Sequence, residues 1–314
     1  MKRSGAVAIG VLFACACSRG SLLAIDRATG ADAKIGASAE DARDSAPTVI
    51  CPSPVAPAGN SNMTVAVGST NRSYVLHIPT TYTGKKPVPL IFDFHANNGS
   101  GRSQSSTSPY PSMTDPEGVV MAFPSGVLGP AGTAWNLGPC CVSDVDDLAF
   151  TRAMIEQIRS TVCIDPKRIY AVGHITGGGM AYMLACRASE TIAAVAASAW
   201  DLLQDNVADC KPNRPITVVS FRSVGDTLIP YAGGYSSVVP GMPITFLGAV
   251  ATFQTWAQIN GCIGSPSRED SDGCSTYSNC RGGVRVVLCT KQSSLSDVSD
   301  PGIAWPLLKE SPLP

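Results

Sequence analysis

The sequence predicts an α/β fold, in which a mostly parallel sheet carries helices on both faces. Short apolar runs rich in β-branched residues alternate with segments of helical pattern, and this alternation is typical of β-α-β units in a parallel sheet. The 314 residues are 44% hydrophobic and 15% charged, which is enough apolar side chain for one large core. Near residue 175 a strand pattern changes to a helix pattern across a glycine-rich turn, so these two elements meet at a sharp angle.

Each element is predicted from its local pattern. The predicted strands are apolar runs bounded by turn-forming residues, at residues 73–79, 88–95, 119–123, 169–172, 192–197, 215–221 and 284–288. The predicted helices are residues 144–162, 180–187 and 247–259. The first helix opens with Asp144, Asp146 and Asp147, whose negative charges suit the positive end of a helix.

The N-terminal residues predict export. Lys2 and Arg3 precede a short apolar stretch that ends in small residues, which is typical of a signal peptide over residues 1–17. The stretch is too short to span a bilayer. It also has the look of a bacterial lipoprotein signal, with Cys17 or Cys15 as the lipidated residue. We therefore expect a secreted protein or one anchored to a membrane outside the cytoplasm.

The remaining chain divides into a tether and a domain. Residues 18–60 are rich in Ala, Ser, Asp and Pro and predict a flexible tether, which leaves residues 61–314 as the folded domain. The sequence has 12 cysteines, which favours an oxidising compartment. If the mature chain began at Cys17, ten others would remain, enough for five disulfides whose pairing stays open. Zinc is the alternative, but no C-x-x-C pair exists, so we expect disulfides, no metal site and no cofactor.

The charge balance excludes some classes of partner. The formal net charge is −1 at pH 7, and no run of Lys or Arg is present. Nothing in this balance would attract nucleic acid or an acidic membrane surface. We therefore expect no nucleic acid partner, and a membrane contact only through the lipid anchor.

The turn near residue 175 has the pattern of a nucleophile elbow, Gly-x-nucleophile-x-Gly. Gly173 and Gly177 are the small residues that this strained turn needs. The residue between them is Ile175, whose side chain has no atom that attacks a carbonyl carbon. The sequence thus predicts the architecture of a serine hydrolase without its attacking atom.

Several segments, taken in order, resemble the feruloyl esterase and polyhydroxybutyrate depolymerase-like branch of the secreted α/β-hydrolases. They are residues 72–79, 89–95, Trp135-Asn136 with Cys140-Cys141, 145–150, 164–170, 177–181, 184–186, 225–226 and 230–234. The resemblance implies an α/β-hydrolase fold and a carboxylic ester hydrolase with a Ser-Asp-His triad in that chain order. It also implies ester-linked plant phenolics or polyester chains as substrates.

The triad of this family carries over unevenly. Asp226 matches the triad acid, which would orient the base and stabilise its charged form, while Ile175 replaces the serine. The family's base signature, Gly-His-x-Trp-Pro, is best matched by residues 302–306, which puts Ile303 in the place of the histidine. The three histidines of the chain all precede Asp226, and they are His77, His95 and His174. The family's order of triad residues therefore cannot form here.

Other residues receive secondary assignments. Thr176 is an alternative nucleophile with His174 as its base, although the elbow needs a small residue two positions before its nucleophile. The backbone N–H of Thr176 and one from the loop at Ala96 and Asn97 would form an oxyanion hole. His95 is expected to support that loop rather than to act on a substrate.

Two tryptophans and the overall function each leave alternatives open. Trp135 and Trp305 either stack on a sugar or phenolic ring or pack inside the protein.

We prefer a degenerate family member that keeps its pocket and binds a phenolic, carbohydrate or polyester ligand without efficient hydrolysis. One alternative is an active ester hydrolase with an unorthodox nucleophile, or with an erroneous or truncated C-terminal sequence that would otherwise run into a closing helix. Another is a purely structural surface lipoprotein.

Overall fold

A computed structural model of the chain describes residues 49–130, 132–237, 241–293 and 299–314. These residues belong to a unit that spans residues 47–314. The predicted signal peptide, both lipidation sites and most of the predicted tether lie outside the described residues, so they stay predictions. The described end of the tether is joined to the domain, because Cys51 forms a disulfide with Cys163.

Nine strands of the described residues form one sheet, and its six central strands run parallel. In spatial order the strands are β1 (Gly59–Val67), β2 (Thr70–Ile78), β4 (Val120–Pro124), β3 (Val88–Phe94), β7 (Ile164–His174), β8 (Ala194–Ser198), β9 (Thr217–Ser223), β13 (Val286–Lys291) and β12 (Cys274–Tyr277). β1, β2 and β12 pair in the antiparallel sense at the two sides of the sheet. Each predicted strand is present with shifted bounds, so the α/β prediction is confirmed.

Two short hairpins lie apart from this sheet in the described ranges. They are β5 (Val127–Gly129) with β6 (Gly132–Ala134), and β10 (Gly234–Ser236) with β11 (Ile244–Phe246). The first hairpin lies beside the loop that follows β3, since the Thr133 carbonyl oxygen accepts the Asn98 N–H at 2.8 Å.

The helices are α1 (Gly101–Thr107), α2 (Pro111–Thr114), α3 (Asp147–Arg159), α4 (Thr176–Arg187), α5 (Ala249–Ile259) and α6 (Pro301–Lys309). The start of α3 is set by Asp146, whose side chain accepts the Ala149 N–H at 2.8 Å and so satisfies a donor that the helix cannot. None of the helices in the described residues is long and apolar enough to cross a membrane.

The core lies on both faces of the sheet, because side chains alternate between the faces along each strand. One apolar cluster contains Phe92 of β3, Phe150 of α3 and Leu184 of α4, and we call this side the α4 face. The other cluster contains Ile91 of β3 and Trp305 of α6, and we call this side the α6 face. All residues of β3 and β9 are buried, as expected of parallel strands covered on both sides.

Five disulfides use every cysteine from Cys51 onward, as the cysteine count predicted. The pairs are Cys51–Cys163, Cys140–Cys141, Cys186–Cys210, Cys262–Cys280 and Cys274–Cys289. The last two hold the polar segment between α5 and β13, part of which forms the outer strand β12. The sequence alone did not determine which cysteines pair, and the structure shows the pairing.

Candidate active site

The carboxyl ends of the parallel strands bring the predicted site residues to one edge of the sheet. His95 follows β3, Ile175 follows β7 and Asp226 lies in the loop after β9. Asp201 follows β8, which lies between β7 and β9. Ligands of open α/β sheets bind beyond this edge, so we take it as the candidate active site.

Ile175 adopts a strained backbone conformation at the apex of the elbow. Its φ is 50° and its ψ is −119°, a combination that is rare for a β-branched residue. Its N–H donates to the Ser198 carbonyl oxygen at 3.0 Å, and its own carbonyl oxygen accepts the Gly179 N–H at 3.0 Å. The side chain is half-buried and packs against the α4 face. The turn is therefore kept with an apolar side chain at its apex.

The two glycines of the turn are required because α4 lies directly against β3 and β7. A Cβ on Gly177 would lie 1.9 Å from the Phe94 carbonyl oxygen. A Cβ on Gly173 would lie 2.2 Å from the Gly177 carbonyl oxygen. These approaches involve backbone atoms, which cannot move aside as a flexible side chain can. The close packing is thus independent of the side chain at position 175.

The predicted oxyanion donors lie at the start of α4 and in the loop after β3. Thr176 is the first residue of α4, so its N–H has no carbonyl partner within the helix. In the loop, the N–H of Asn98 is engaged by the Thr133 carbonyl oxygen. Neither Ala96 nor Asn97 donates a backbone hydrogen bond to another backbone group in the described residues. These three N–H groups are therefore the candidates for binding a carbonyl or carboxylate oxygen.

Thr176 and His174 do not form a nucleophile and base pair. The Thr176 side chain is fully buried, and its Oγ1 makes no hydrogen bond within the described residues. His174 is the last residue of β7 and is half-buried. A working nucleophile needs contact with the substrate and a base within hydrogen-bond distance, and the hydroxyl of Thr176 has neither.

His95 forms hydrogen bonds with backbone groups on both sides of its ring. Its Nε2 accepts the Gly126 N–H at 2.8 Å, and its Nδ1 lies 2.7 Å from the Ala96 carbonyl oxygen. Because Nε2 accepts a hydrogen bond, the proton of the neutral ring is on Nδ1 and is donated to Ala96. Burial lowers the pKa of His95, and Arg72 adds to this effect against the opposing Ala96 carbonyl. The ring is thus neutral, with both nitrogens engaged.

Asp226 keeps one carboxylate oxygen without a partner. Its Oδ1 accepts the N–H groups of Leu228 and Ile229 at 2.9 Å and 3.0 Å, whereas its buried Oδ2 has no hydrogen-bond partner in the described residues. The loop after β13 lies beside it, since the Gly225 N–H donates to the Ser293 carbonyl oxygen at 3.0 Å. In a Ser-Asp-His triad a histidine would donate to the acid, but no histidine follows Asp226 in the sequence.

A buried ion pair next to Asp226 escaped the sequence analysis. Asp201 and Arg222 are both fully buried, with Arg222 Nη1 at 3.1 Å from Asp201 Oδ2. Arg222 Nη2 also donates to the Ile229 carbonyl oxygen at 2.6 Å, which ties the pair to the loop that holds Asp226. Burial raises the pKa of Asp201 to about 7, while Arg222 and Thr252 lower it and Asp226 raises it further. No local sequence pattern predicts an ion pair that forms between residues at the ends of two different strands.

Comparison with known proteins identifies the family. No family model matches the chain. The chain is 42% identical to feruloyl esterase B of Piromyces equi over 246 residues, which are 77% of this chain and 46% of that protein. It is 29% identical to feruloyl esterase C of Emericella nidulans over 221 residues, which are 65% of this chain and 72% of that protein. The chain belongs to the feruloyl esterase-like family. It spans about half the length of the first curated relatives, at 46% of feruloyl esterase B and 52% of the putative esterase NocK of Nocardia uniformis.

Solved structures agree with the fold of this family. An acetyl xylan esterase from Aspergillus awamori has a TM-score of 0.57 at 13% identity, over 79% of this chain and 99% of that chain. A thermostable esterase has a TM-score of 0.53 at 16% identity, over 81% and 63%. At these identities the likeness concerns the fold alone, and it confirms the predicted α/β-hydrolase fold.

The placement of Ile303 at the catalytic base of this feruloyl esterase-like chain is wrong. The Asp300 side chain accepts the Ile303 N–H and caps α6, and Pro301 is the first residue of the helix, an arrangement that favours a helix start here. Ile303 packs against the α6 face, whereas Ile175 packs against the α4 face. Residues 302–306 therefore lie within the closing helix itself and do not precede one.

Both tryptophans pack inside the protein, which favours the second of their two predicted roles. Trp135 is fully buried and donates through Nε1 to the His95 carbonyl oxygen at 2.9 Å. Trp305 is 2% exposed, contacts the edge of the Tyr170 ring and donates to Glu117 Oε1 at 3.1 Å. Neither indole presents a face for stacking on a ligand.

Within the described residues, the site thus brings together backbone N–H donors for an oxygen atom, the apolar side chain of Ile175 and the carboxylate of Asp226. Within the described ranges, no group of three or more His, Cys, Asp or Glu side chains is arranged to hold a metal ion. The chemistry that the arrangement supports is binding of a carbonyl or carboxylate group.

Proposed function

We propose that this feruloyl esterase-like protein binds an ester or carboxylate group at the elbow and does not hydrolyse it efficiently. The observation that carries the proposal is Ile175, which keeps the strained turn at φ 50° while its side chain offers no attacking atom. Backbone N–H groups fixed at such a turn bind oxygen through hydrogen bonds that need no nucleophile. The site then holds the acyl group without forming a covalent intermediate.

The surroundings of Asp226 support the absence of turnover. Its Oδ2 has no partner in the described residues, and every histidine of the chain precedes it. A site with an oxyanion hole alone retains a rate about 10³-fold above the uncatalysed reaction, far below a complete triad. The burial of Thr176 Oγ1 also favours this function over an active hydrolase that uses Thr176.

The family suggests the class of ligand. The curated relatives named above are feruloyl esterases, and a solved structure of like fold is an acetyl xylan esterase. We propose a small-molecule ester or a carbohydrate-linked ester as the ligand, with a phenolic acyl group as the first candidate. A polyester chain is the broader alternative that the sequence resemblance implies.

We further propose that the protein acts outside the cytoplasm. Five disulfides in one domain are typical of proteins from oxidising compartments. The signal peptide and a lipid anchor at Cys17 or Cys15 rest on the sequence pattern alone. Treatment of cells with a lipoprotein signal peptidase inhibitor would separate anchored from freely secreted protein.

The proposal is tested by measuring binding and turnover of the same compound. Methyl ferulate is titrated into the purified protein by calorimetry, and release of ferulate is followed by chromatography. We expect saturable binding with no ferulate release beyond the residual rate given above. Release at rates typical of an active esterase would contradict the proposal, and so would the absence of binding of both methyl ferulate and an acetylated xylo-oligosaccharide.

Two variants at one position locate the binding site. Ile175→Trp places a large ring at the apex of the turn and is expected to weaken binding at least about tenfold, or by about 1.4 kcal/mol. Ile175→Val is the matched control, since it keeps the branched apolar shape and is expected to bind within about twofold of the parent. Equal affinity of both variants would place the ligand elsewhere.

A further inference from the structure

The loop between β3 and α1 carries two of the three candidate oxyanion donors, the N–H groups of Ala96 and Asn97. We call residues 95–101 the donor loop. It turns tightly, since the Gly99 N–H donates to the Ala96 carbonyl oxygen at 3.1 Å. Backbone donors bind an oxygen atom well only when their positions are fixed before the ligand arrives. The contacts that hold the donor loop therefore matter for the proposed acyl binding.

Two residues that follow β4 hold both ends of the donor loop, and we call them the β4 segment. They are Ser125 and Gly126. The Gly126 N–H donates to His95 Nε2 at 2.8 Å, and the Ser125 hydroxyl accepts the Gly101 N–H at 3.0 Å. The approach is close, because a Cβ on Gly101 would overlap the Phe123 carbonyl oxygen. The donor loop is thus attached to the end of the neighbouring strand.

Residues 133–136, which we call the β6 segment, hold the middle of the donor loop. The Thr133 carbonyl oxygen accepts the Asn98 N–H at 2.8 Å, and the Thr133 hydroxyl donates to the Gly99 carbonyl oxygen at 2.7 Å. A Cβ on Gly132, just before this segment, would overlap the Asn98 side chain. The β5–β6 hairpin and the donor loop are therefore in direct contact.

Both candidate donors of the loop belong to peptide groups whose carbonyl oxygens are held. The His95 carbonyl oxygen, in the same peptide group as the Ala96 N–H, accepts the Trp135 Nε1–H at 2.9 Å. The Ala96 carbonyl oxygen, in the same peptide group as the Asn97 N–H, accepts the His95 Nδ1–H at 2.7 Å. A trans peptide group is planar, with its C=O and N–H pointing in opposite directions. These two contacts therefore fix the directions of both donors.

An ion pair between β2 and α3 joins the β4 segment to the β6 segment. Arg72 Nη2 lies 2.8 Å from Asp147 Oδ1 and also donates to the Ser125 carbonyl oxygen at 3.2 Å. Asp147 Oδ2 accepts the N–H of Asn136, the neighbour of Trp135, at 2.8 Å. The two charged side chains are 5% and 2% exposed. Arg72 thus holds one segment, Asp147 holds the other, and the ion pair connects them.

Burial makes this pair more important for geometry than for net stability. A buried ion pair gains little stability over apolar side chains of the same volume, because both ions lose their hydration. Its hydrogen bonds are short and directional, and they are stronger away from water. The Phe150 ring restricts Arg72 from a further side, with its centroid 4.2 Å from the guanidinium carbon. The pair therefore fixes the relative position of the groups that it joins.

We propose that the Arg72–Asp147 pair positions the N–H groups of the donor loop for acyl binding at the elbow. The pair acts through the β4 and β6 segments. This inference rests on the proposed function, because fixed donors matter only if the acyl oxygen binds there. Loss of the pair should leave the elbow turn intact, since the backbone hydrogen bonds of Ile175 go to Ser198 and Gly179, outside both segments.

Hydrogen exchange measured by mass spectrometry or NMR tests the pair without a ligand. In Arg72→Met, we expect the amides of Asn98 and Gly101 to exchange at least about tenfold faster, and those of Ile175 and Gly179 to stay within about twofold of the parent. A variant that is only less stable would exchange faster at both places, through unfolding of the whole domain. Equal acceleration at both places, or none in the donor loop, would overturn the proposal.

Calorimetric titration with methyl ferulate measures the effect on binding. We expect Arg72→Met to weaken binding at least about tenfold, and Arg72→Lys to fall between this variant and the parent, since it keeps the charge beside Asp147. Arg168→Met is the matched control. Arg168 pairs with Asp165 at 2.7 Å and donates to the Pro87 carbonyl oxygen at 2.9 Å, but it lies in the first half of β7, away from the elbow. Its loss should change the affinity by less than about twofold.

A second variant covers the case in which Arg72→Met does not fold because Asp147 is left as an unpaired buried charge. Arg72→Met/Asp147→Asn removes both charges and keeps an acceptor for the Asn136 N–H. It still breaks the connection between the β4 and β6 segments, so the same changes in exchange and affinity are expected. Unchanged exchange in the donor loop of this variant would overturn the proposal.

The two measurements separate this proposal from the proposed function. If the parent binds neither methyl ferulate nor the acetylated xylo-oligosaccharide, acyl binding is contradicted, while exchange still shows whether the pair holds the donor loop. If the parent binds and Arg72→Met loosens the donor loop without loss of affinity, the positioning role is wrong and acyl binding stands. Equal affinity losses in Arg72→Met and Arg168→Met would also contradict the positioning role.

Discussion

Ile175 donates its backbone N–H to the carbonyl oxygen of Ser198 at 3.0 Å. This hydrogen bond joins the elbow turn to the end of β8 and uses only backbone atoms. It therefore forms in the same way whether position 175 holds a serine or an isoleucine. The backbone geometry of the elbow does not depend on the side chain at its apex, which is why the turn forms here with Ile175 in that position.

The packing of the elbow predicts a strong effect at Gly177. We expect Gly177→Ala to lower the free energy of unfolding by about 3 kcal/mol or to prevent folding, because its Cβ would lie 1.9 Å from the Phe94 carbonyl oxygen. The measurement is urea denaturation followed by circular dichroism. Gly302→Ala in α6 is the control, since its Cβ would meet only the Asp300 side chain at 3.2 Å, and we expect a change within about 1 kcal/mol. Similar losses in both variants would contradict the packing argument.

Restoring the nucleophile alone should not restore an esterase. Ile175→Ser supplies an attacking oxygen but no base beside it, so we expect methyl ferulate hydrolysis to stay near the residual level of about 10³-fold above the uncatalysed rate. Ile175→Ser/Ile303→His should gain nothing further, because Ile303 lies on the α6 face of the sheet. Initial rates from chromatography check both expectations. A gain of more than about tenfold from the added histidine would show that position 303 reaches the elbow.

Asp93 should make the stability of the domain depend on pH. It is a buried residue of β3 whose Oδ1 accepts a hydrogen bond from Gln104 at 2.9 Å, while its Oδ2 has no partner in the described residues. Burial raises the pKa of Asp93 to about 7, against smaller opposing effects of Ser108 and Gln104. Because the pKa in the folded state is higher than in the unfolded state, stability is full at low pH and is lost as pH rises toward about 7.

Asp93→Asn removes this proton linkage and keeps an acceptor for Gln104. We expect the variant to gain about 2–4 kcal/mol relative to the parent between about pH 4 and pH 8. Denaturation curves of both proteins at a series of pH values give the difference directly. A constant difference across that range would mean that the pKa of Asp93 is the same in the folded and the unfolded protein.

The buried pair of Asp201 and Arg222 should respond to single and double replacement in opposite ways. Arg222→Met leaves Asp201 in the core without its partner, and we expect a loss of about 3–5 kcal/mol at about pH 8. Asp201→Asn/Arg222→Met removes both charges and should recover most of that loss. A double-mutant cycle by urea denaturation measures the coupling, and additive losses would argue against a direct pair.

The sequence was sufficient to predict the central sheet and the elbow because both follow local rules. Runs such as residues 88–92 are apolar throughout, as is typical of parallel strands covered on both faces. Glycine is needed at positions 173 and 177 because backbone atoms of neighbouring segments lie where a Cβ would be. The helix cap at Asp146 is also a local feature, since it depends on residues three positions apart.

Features that depend on tertiary contact were missed or misplaced. The pair of Asp201 and Arg222 joins the ends of two strands, and no spacing along the chain encodes it. Residues 302–306 matched a short base signature, while Asp300 and Pro301, which start α6, are a helix signal that competes with it. The helix-start signal of Asp300 and Pro301 therefore predicted the structure of residues 302–306 better than their five-residue match to the base signature did.

The inertness of the elbow is tested most directly by measuring the intact mass of the purified protein after incubation with a fluorophosphonate probe, which bonds covalently to activated hydroxyl nucleophiles. An active feruloyl esterase of the family serves as the positive control. We predict no adduct on this protein, because Ile175 cannot react and Thr176 Oγ1 is buried. A stoichiometric mass increase, mapped by peptide sequencing to any residue at the carboxyl edge of the sheet, would contradict the claim that the elbow has lost its chemistry.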